Sequence, residues 1–150
     1  MSEPLRPEAS ADLGARLEAL GRALGSREAE HAAALGAARA RLEWLHAQVA
    51  EAVERFHAAA RAAGAPHLRV ELTEIRVDDK HLRGLEFDLV RGRHKAVMTA
   101  RSRGDVTLVG PFRVGKAEGP CRSFAADAPG EFESALADFL KSFLEEAAAP

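Results

Sequence analysis

The chain has 150 residues and a mass of 16.1 kDa, enough for one ordinary domain or for a small domain with a long helical arm. Charged residues make up 29% of it and nearly cancel to a net charge of −2, which excludes a globally basic nucleic-acid coat and a polyanionic tail. About a fifth of the chain is alanine, 5% is aromatic, and Trp44 is the one tryptophan, so the 47% hydrophobic content overstates the surface available for burial.

The single cysteine, Cys121, excludes an intrachain disulfide framework and a multi-cysteine zinc site, and points to a reducing compartment. The stretch Met1–Glu8 has no apolar core of the kind a signal peptide needs, and no apolar run approaches the ~18 residues of a membrane span. A cytoplasmic protein with no membrane association and no cofactor is expected. Arginine outnumbers lysine about fourfold, a bias that fits a GC-rich bacterial genome.

In chain order, residues 1–10 contain Pro4 and Pro7 and read as a disordered lead-in. Residues 11–64 lack proline and are dominated by Ala, Leu, Glu and Arg, which predicts a helical arm. Within it Leu35, Ala38, Leu42, Leu45, Val49, Ala52, Phe56, Ala59 and Ala63 follow steps of 3,4,3,4,3,4,3,4, the seam of a coiled coil. Upstream, Leu13, Leu17, Leu20 and Leu24 follow 4,3,4. The two blocks are out of phase as heptads across Gly25-Ser26, so the arm is either one helix with a stutter there or a helical hairpin. So narrow a stripe suits a matching helix better than a broad core. Leu35, Leu42, Leu45, Val49 and Phe56 are therefore the expected self-association residues, in a homodimer or higher oligomer.

Gly64-Ala65-Pro66 closes the arm, and residues 66–150 are expected to form an α+β head. Alternation at Leu68/Val70/Leu72, at Leu85/Phe87/Leu89 and at Val106/Leu108 predicts an antiparallel meander of four to five strands, with His94–Arg101 between the last two and a further strand at Phe112–Val114 or Cys121–Phe124. Turns are expected at Asp78-Asp79-Lys80, Arg91-Gly92-Arg93 and Arg103-Gly104-Asp105. After Pro129-Gly130, the positions Phe132, Leu136, Phe139, Leu140, Phe143 and Leu144 share one helical face and predict an amphipathic helix that closes the sheet.

Several motifs resemble chemistry. Gly110–Ala117 satisfies G-x-x-x-x-G-K, but it ends on alanine where a phosphate loop needs a hydroxyl for Mg²⁺, and Gly119-Pro120 leaves no room for the helix whose amides would face a phosphate. Glu28/His31, Glu43/His46 and Glu54/His57 repeat the Glu-x-x-His unit of metal-binding bundles. Their histidines are about 22 Å and 16 Å apart along one helix, so only a neighbouring helix would complete a site. They read more simply as favourable neighbours on a solvated face, and no metal is expected. Cys121 beside Arg122 reads as a small buried hydrophobe. Arg103-Gly104-Asp105 reads as a turn, and Asp78-Asp79 likewise.

Charge is distributed unevenly: residues 1–65 carry −1, residues 66–124 carry +4, and residues 125–150 carry −5. Arg91, Arg93 and Lys95 cluster at one hairpin tip and Arg101 and Arg103 at the opposite one, which makes them the candidate contacts to a macromolecule. The element order resembles that of the small dimeric nucleoid-associated proteins of bacteria, which implies a dimer with a nucleic-acid-binding head. Together these features lead to the expectation of a non-enzymatic homo-oligomeric scaffold whose head binds another macromolecule, with an unidentified protein as the expected partner. The alternatives are nucleic-acid binding through the basic tips and metal binding through the Glu-x-x-His pairs.

Overall fold

A computed structural model describes residues 7–78, 84–113, 120–125 and 129–148. The fold is α+β: a long N-terminal helix, an antiparallel sheet and a C-terminal helix. Helix α1 (Pro7–Ala62) is continuous through Gly25-Ser26, so the hairpin alternative does not occur. The phase slip there exists only against a 3.5-residue repeat. Leu13, Leu17, Leu20 and Leu24 recur eighteen residues on as His31, Leu35, Ala38 and Leu42, and eighteen residues make five turns of a 3.6-residue helix. An ordinary α-helix therefore carries both blocks in one phase.

The chain divides into two compact units, Met1–Ala33 and Ala34–Pro150. The division falls inside α1 and not after it. In the first unit, every described side chain from Asp12 to Glu30 is exposed, and His31 is half-buried. In the second unit, the remainder of α1 buries Ala38, Leu42, Leu45, Val49, Val53, His57 and Ala60. These steps of 4,3,4,4,4,3 follow a straight helix lying on a flat surface, not the 3.5-residue seam of a supercoil. Ala52, Ala59 and Ala63, which a strict heptad would bury, are exposed.

The sheet contains β1 (Glu71–Leu72), β2 (Arg76–Val77), β3 (Gly84–Arg91), β4 (His94–Arg101), β5 (Asp105–Arg113) and β6 (Cys121–Ala125). All pairings are antiparallel, in the order β1-β3-β4-β5-β6, and β2 shares β3 with β1. In effect β1 and β2 are one interrupted edge strand. The first expected strand thus begins later than its alternation suggests, and the last two expectations merge into β5 and β6. Of the expected turns, those at Gly92 and Gly104 join β3 to β4 and β4 to β5, each with its glycine at positive φ. Asp79-Lys80 and Val114 lie outside the described residues.

Gly110 has a reason of its own. Register shifts between Lys95 and Val97. Gly110, at φ +121°, sits so close to β4 that an added Cβ would be 3.0 Å from the Lys95 carbonyl oxygen. Only glycine combines that conformation with that approach.

Helix α2 (Pro129–Ala148) and the second part of α1 pack on the same sheet face. Leu85, Phe87, Leu89, Ala96, Met98, Ala100, Val106, Leu108 and Phe124 form one buried cluster with Leu42, Leu45, Val49, Ala135 and Phe143. The expected face of α2 packs there, with Phe143 fully buried and Phe132, Leu136, Phe139, Leu140 and Leu144 partly so. The opposite sheet face alternates polar and β-branched residues, as antiparallel sheets with one wet side do. The row Glu86, Thr99, Thr107, Ser123 crosses it in register.

Candidate functional site

The seam residues expected to hold a second copy are occupied by the chain itself. Leu42 and Val49 are fully buried, Leu45 is 1% exposed, and all three belong to the cluster under the sheet. Leu35 packs partly against that cluster, and Phe56 is half-buried beside His57, with ring centroids 6.1 Å apart. The correction has a simple cause: the apolar sheet face needs a lid, and this helix stripe is the lid.

Two of the three Glu-x-x-His histidines clamp the sheet edge. The Val70 amide donates to His57 Nε2 at 3.0 Å, so the ring carries its proton on Nδ1. That nitrogen is buried without a hydrogen-bond partner. Glu54 Oε1, on a side chain 72% exposed, stands off at 3.5 Å, beyond useful hydrogen-bond range. His46 uses the opposite tautomer: its Nε2–H donates to the Thr73 carbonyl at 3.0 Å, and its ring meets Phe87 edge-on at 4.8 Å. The edge segment is completed by Thr73 and Asp88, which exchange an amide-to-carbonyl bond of 2.9 Å and an amide-to-hydroxyl bond of 2.8 Å. The weak metal candidates Glu43/His46 and Glu54/His57 therefore have imidazoles committed to the backbone and carboxylates in solvent. Glu28 is exposed and His31 half-buried in the first unit. Among the described residues no three His, Cys, Asp or Glu side chains are grouped to hold a metal. Sequence reasoning passed over the clamp, although the signal was available: His46 and His57 share the helix face of Leu42, Val49 and Val53.

The five basic candidates separate into different roles. Arg91 is a staple: Nη1 donates to the carbonyls of His67 (3.0 Å) and Arg69 (2.9 Å), and Nε donates to that of Ala147 (3.2 Å). Helix α2 has no basic residue in its own last turn, so Arg91 supplies from another element the cation that a helix C-terminus favours. Lys95 lies on the polar sheet face, 3.3 Å from Asp88. Arg103 grips Asp105 with two bonds, at 2.7 and 3.1 Å, and thereby holds that carboxyl below the usual aspartate range. Arg93 and Arg101 remain exposed, at opposite ends of β4. The structure does not bring the five together.

On the same polar face, Asp88 is nearly buried between cations. Arg76 reaches its Oδ1 at 2.8 Å and Glu86 at 2.9 Å. The bond to Asp88 holds the Arg76 guanidinium still more firmly protonated. Such a paired buried carboxylate ties the edge strand β2 to β3.

Residues 110–113 of the G-x-x-x-x-G-K match are strand, and the Gly110 amide donates to the Pro120 carbonyl at 2.7 Å. Gly115 to Ala117 lie outside the described residues. Cys121 is exposed on β6 opposite Val109, not buried. An open cleft of about 220 Å³ lies between β5–β6 and α2, lined by Leu108, Pro111, Arg122, Asp138 and Phe139 among others. Among the described residues no helix is long and apolar enough to cross a membrane.

Among the described residues, most of the exposed large apolar side chains lie on α1. Leu13, Leu17, Leu20 and Leu24 are 57%, 57%, 52% and 48% exposed. Trp44, in the second unit, is 51% exposed. Comparisons with family models, with curated proteins and with solved structures gave no match to this chain.

Proposed function

We propose that this protein is a non-enzymatic, self-associating interaction protein that joins to a second copy through residues 13–24 of α1 and offers its α+β unit to another macromolecule. The observation that carries the reading is the row of four half-exposed leucines at Leu13, Leu17, Leu20 and Leu24. An apolar row of this kind, on a stretch of helix whose described side chains from Asp12 to Glu30 are all exposed, fits an interaction surface. Isolated helices are marginal in water, and most helical stability comes from burying an amphipathic face. The coiled-coil reading of α1 thus moves from residues 35–63, whose Leu42, Leu45 and Val49 lie in the cluster under the sheet, to residues 13–24.

Trp44 supports a partner for the second unit. Large aromatics are enriched among the residues that dominate binding energy at interfaces. An indole 51% exposed fits that pattern better than the separated Arg93 and Arg101.

The test is molar mass in solution by light scattering across a concentration series. The full chain is expected to approach twice 16.1 kDa, and Leu17→Asp or Leu20→Asp to return it to the single-chain mass. A wild-type chain that stays at the single-chain mass at every concentration would overturn the proposal.

A further inference from the structure

We infer that the two copies pair antiparallel, with Leu13 level with the second copy's Leu24 and Leu17 level with its Leu20. This rests on the self-association proposed above and specifies its geometry. The 4,3,4 spacing assigns Leu13 and Leu20 to d positions and Leu17 and Leu24 to a positions of two heptads. Either orientation buries all four leucines, so the neighbouring positions decide.

The first of these is Arg27. It is exposed and occupies the next d position after Leu24. In a parallel, in-register pair each Arg27 would face the other copy's Arg27 within the seam, where like charges directly opposed are unfavourable. In the antiparallel pair Arg27 is level with position 10 and within a turn of the second copy's Asp12. Asp12 is an exposed carboxylate held at 3.0 Å by Arg16, in the kind of surface pair that adds little by itself and can be shared. Opposite charges then meet at both ends of the contact.

The second consideration is glycine. The e positions beside the ridge are Gly14 and Gly21, and the g positions are Arg16 and Ala23. A Cβ added at either glycine would meet nothing within 4 Å on its own chain. Each costs an exposed helix about 1 kcal/mol relative to alanine, so the single chain gives no account of them. Antiparallel helices set e against e and g against g. One flank then consists of Gly14 beside the second copy's Gly21, twice over, and the backbones can approach closely. The other flank sets Arg16 beside Ala23 with no like-charge clash. A parallel pair would set Gly21 beside Arg16, where nothing calls for glycine.

Single-cysteine chains in a Cys121→Ser background test the geometry under mild oxidation. Leu13→Cys and Leu24→Cys chains, mixed, should form disulfide-linked dimers in high yield, and neither should do so alone. In the antiparallel pair identical positions are about 16 Å apart, well beyond the reach of a disulfide. Efficient linkage of each chain with itself would show parallel pairing and overturn this inference while leaving self-association intact. Equal yields in all three mixtures would report random collision and overturn it too. A single-chain mass for the wild type would remove both proposals. As a second measurement, Gly21→Leu should raise helix content yet weaken association about tenfold or more. Association left unchanged by that variant would place the glycines outside the contact and count against the pairing.

Discussion

His57 Nε2 accepts the amide hydrogen of Val70 at 3.0 Å, joining the buried face of a helix to the first residues after it, thirteen positions along the chain. Both residues are nearly out of water, at 3% and 5% exposure. The bond therefore replaces a solvent contact that the amide has given up. His57→Ala is expected to lower unfolding stability by about 1–3 kcal/mol, the cost of a buried donor left without its acceptor. Glu54→Ala should stay within about 0.5 kcal/mol, because its carboxylate is exposed and too distant. Urea unfolding of both variants checks this, and an equal loss in the two would refute the clamp.

Arg91 is expected to behave as a structural residue. It donates to three carbonyls from two segments, the connection after α1 and the end of α2, so Arg91→Ala should lower the unfolding midpoint measurably, with Arg91→Lys recovering little because an ammonium cannot reproduce the forked geometry. Arg93→Ala, at the same hairpin, should leave the midpoint unchanged. A variant at position 91 with full stability would return this residue to the list of free surface cations.

Leu45 and Leu20 look equivalent as letters in a heptad and should differ sharply in effect. Leu45→Ala removes a side chain buried under the sheet and is expected to cost about 2–5 kcal/mol. Leu20→Ala, measured at concentrations too low for association, should cost no more than about 0.5 kcal/mol, since an exposed position leaves no cavity. Its effect should appear only as chains begin to associate.

The Arg103–Asp105 pair gives a pH signature of known sign. Arg103 holds the Asp105 carboxyl below its ordinary value of 3.8. The contribution to stability is therefore fully present above that value and lost as pH falls through the lower, folded-state value. Arg103→Ala should move the Asp105 titration upward in a carboxyl-detected NMR series. A titration that does not move would mean that the two-bond contact is absent in solution.

Trp44 is the sole tryptophan in a chain without tyrosine, so intrinsic fluorescence excited at the indole band reports on it alone. Emission should be that of a water-exposed indole and should not change on dilution through the self-association range, because Leu13–Leu24 and Trp44 belong to different units of the chain. A blue shift on adding a binding partner would locate that partner at this face of α1. A shift on self-association alone would mean that the second copy covers Trp44.

Much of the architecture is legible without coordinates because it is written in local rules. Proline-free Ala/Leu/Glu/Arg text makes a helix, Gly64-Ala65-Pro66 ends it, period-two alternation with Gly92 and Gly104 makes hairpins, and Phe132 to Leu144 make an amphipathic helix. What local rules leave open is which surface meets which. The stripe at Leu13–Leu24 and the stripe at Leu35–Leu42 carry the same periodicity in the same helical phase, and nothing in either predicts that one has a sheet over it. That assignment is made by residues far apart in sequence: Phe87 and Met98 in one buried cluster with Leu42 and Leu45, Val70 on His57, Ala147 on Arg91. The same long-range contacts make His46, His57 and Arg91 ties within the fold, because backbone amides and carbonyls outside the helices and the sheet ladder take side-chain partners.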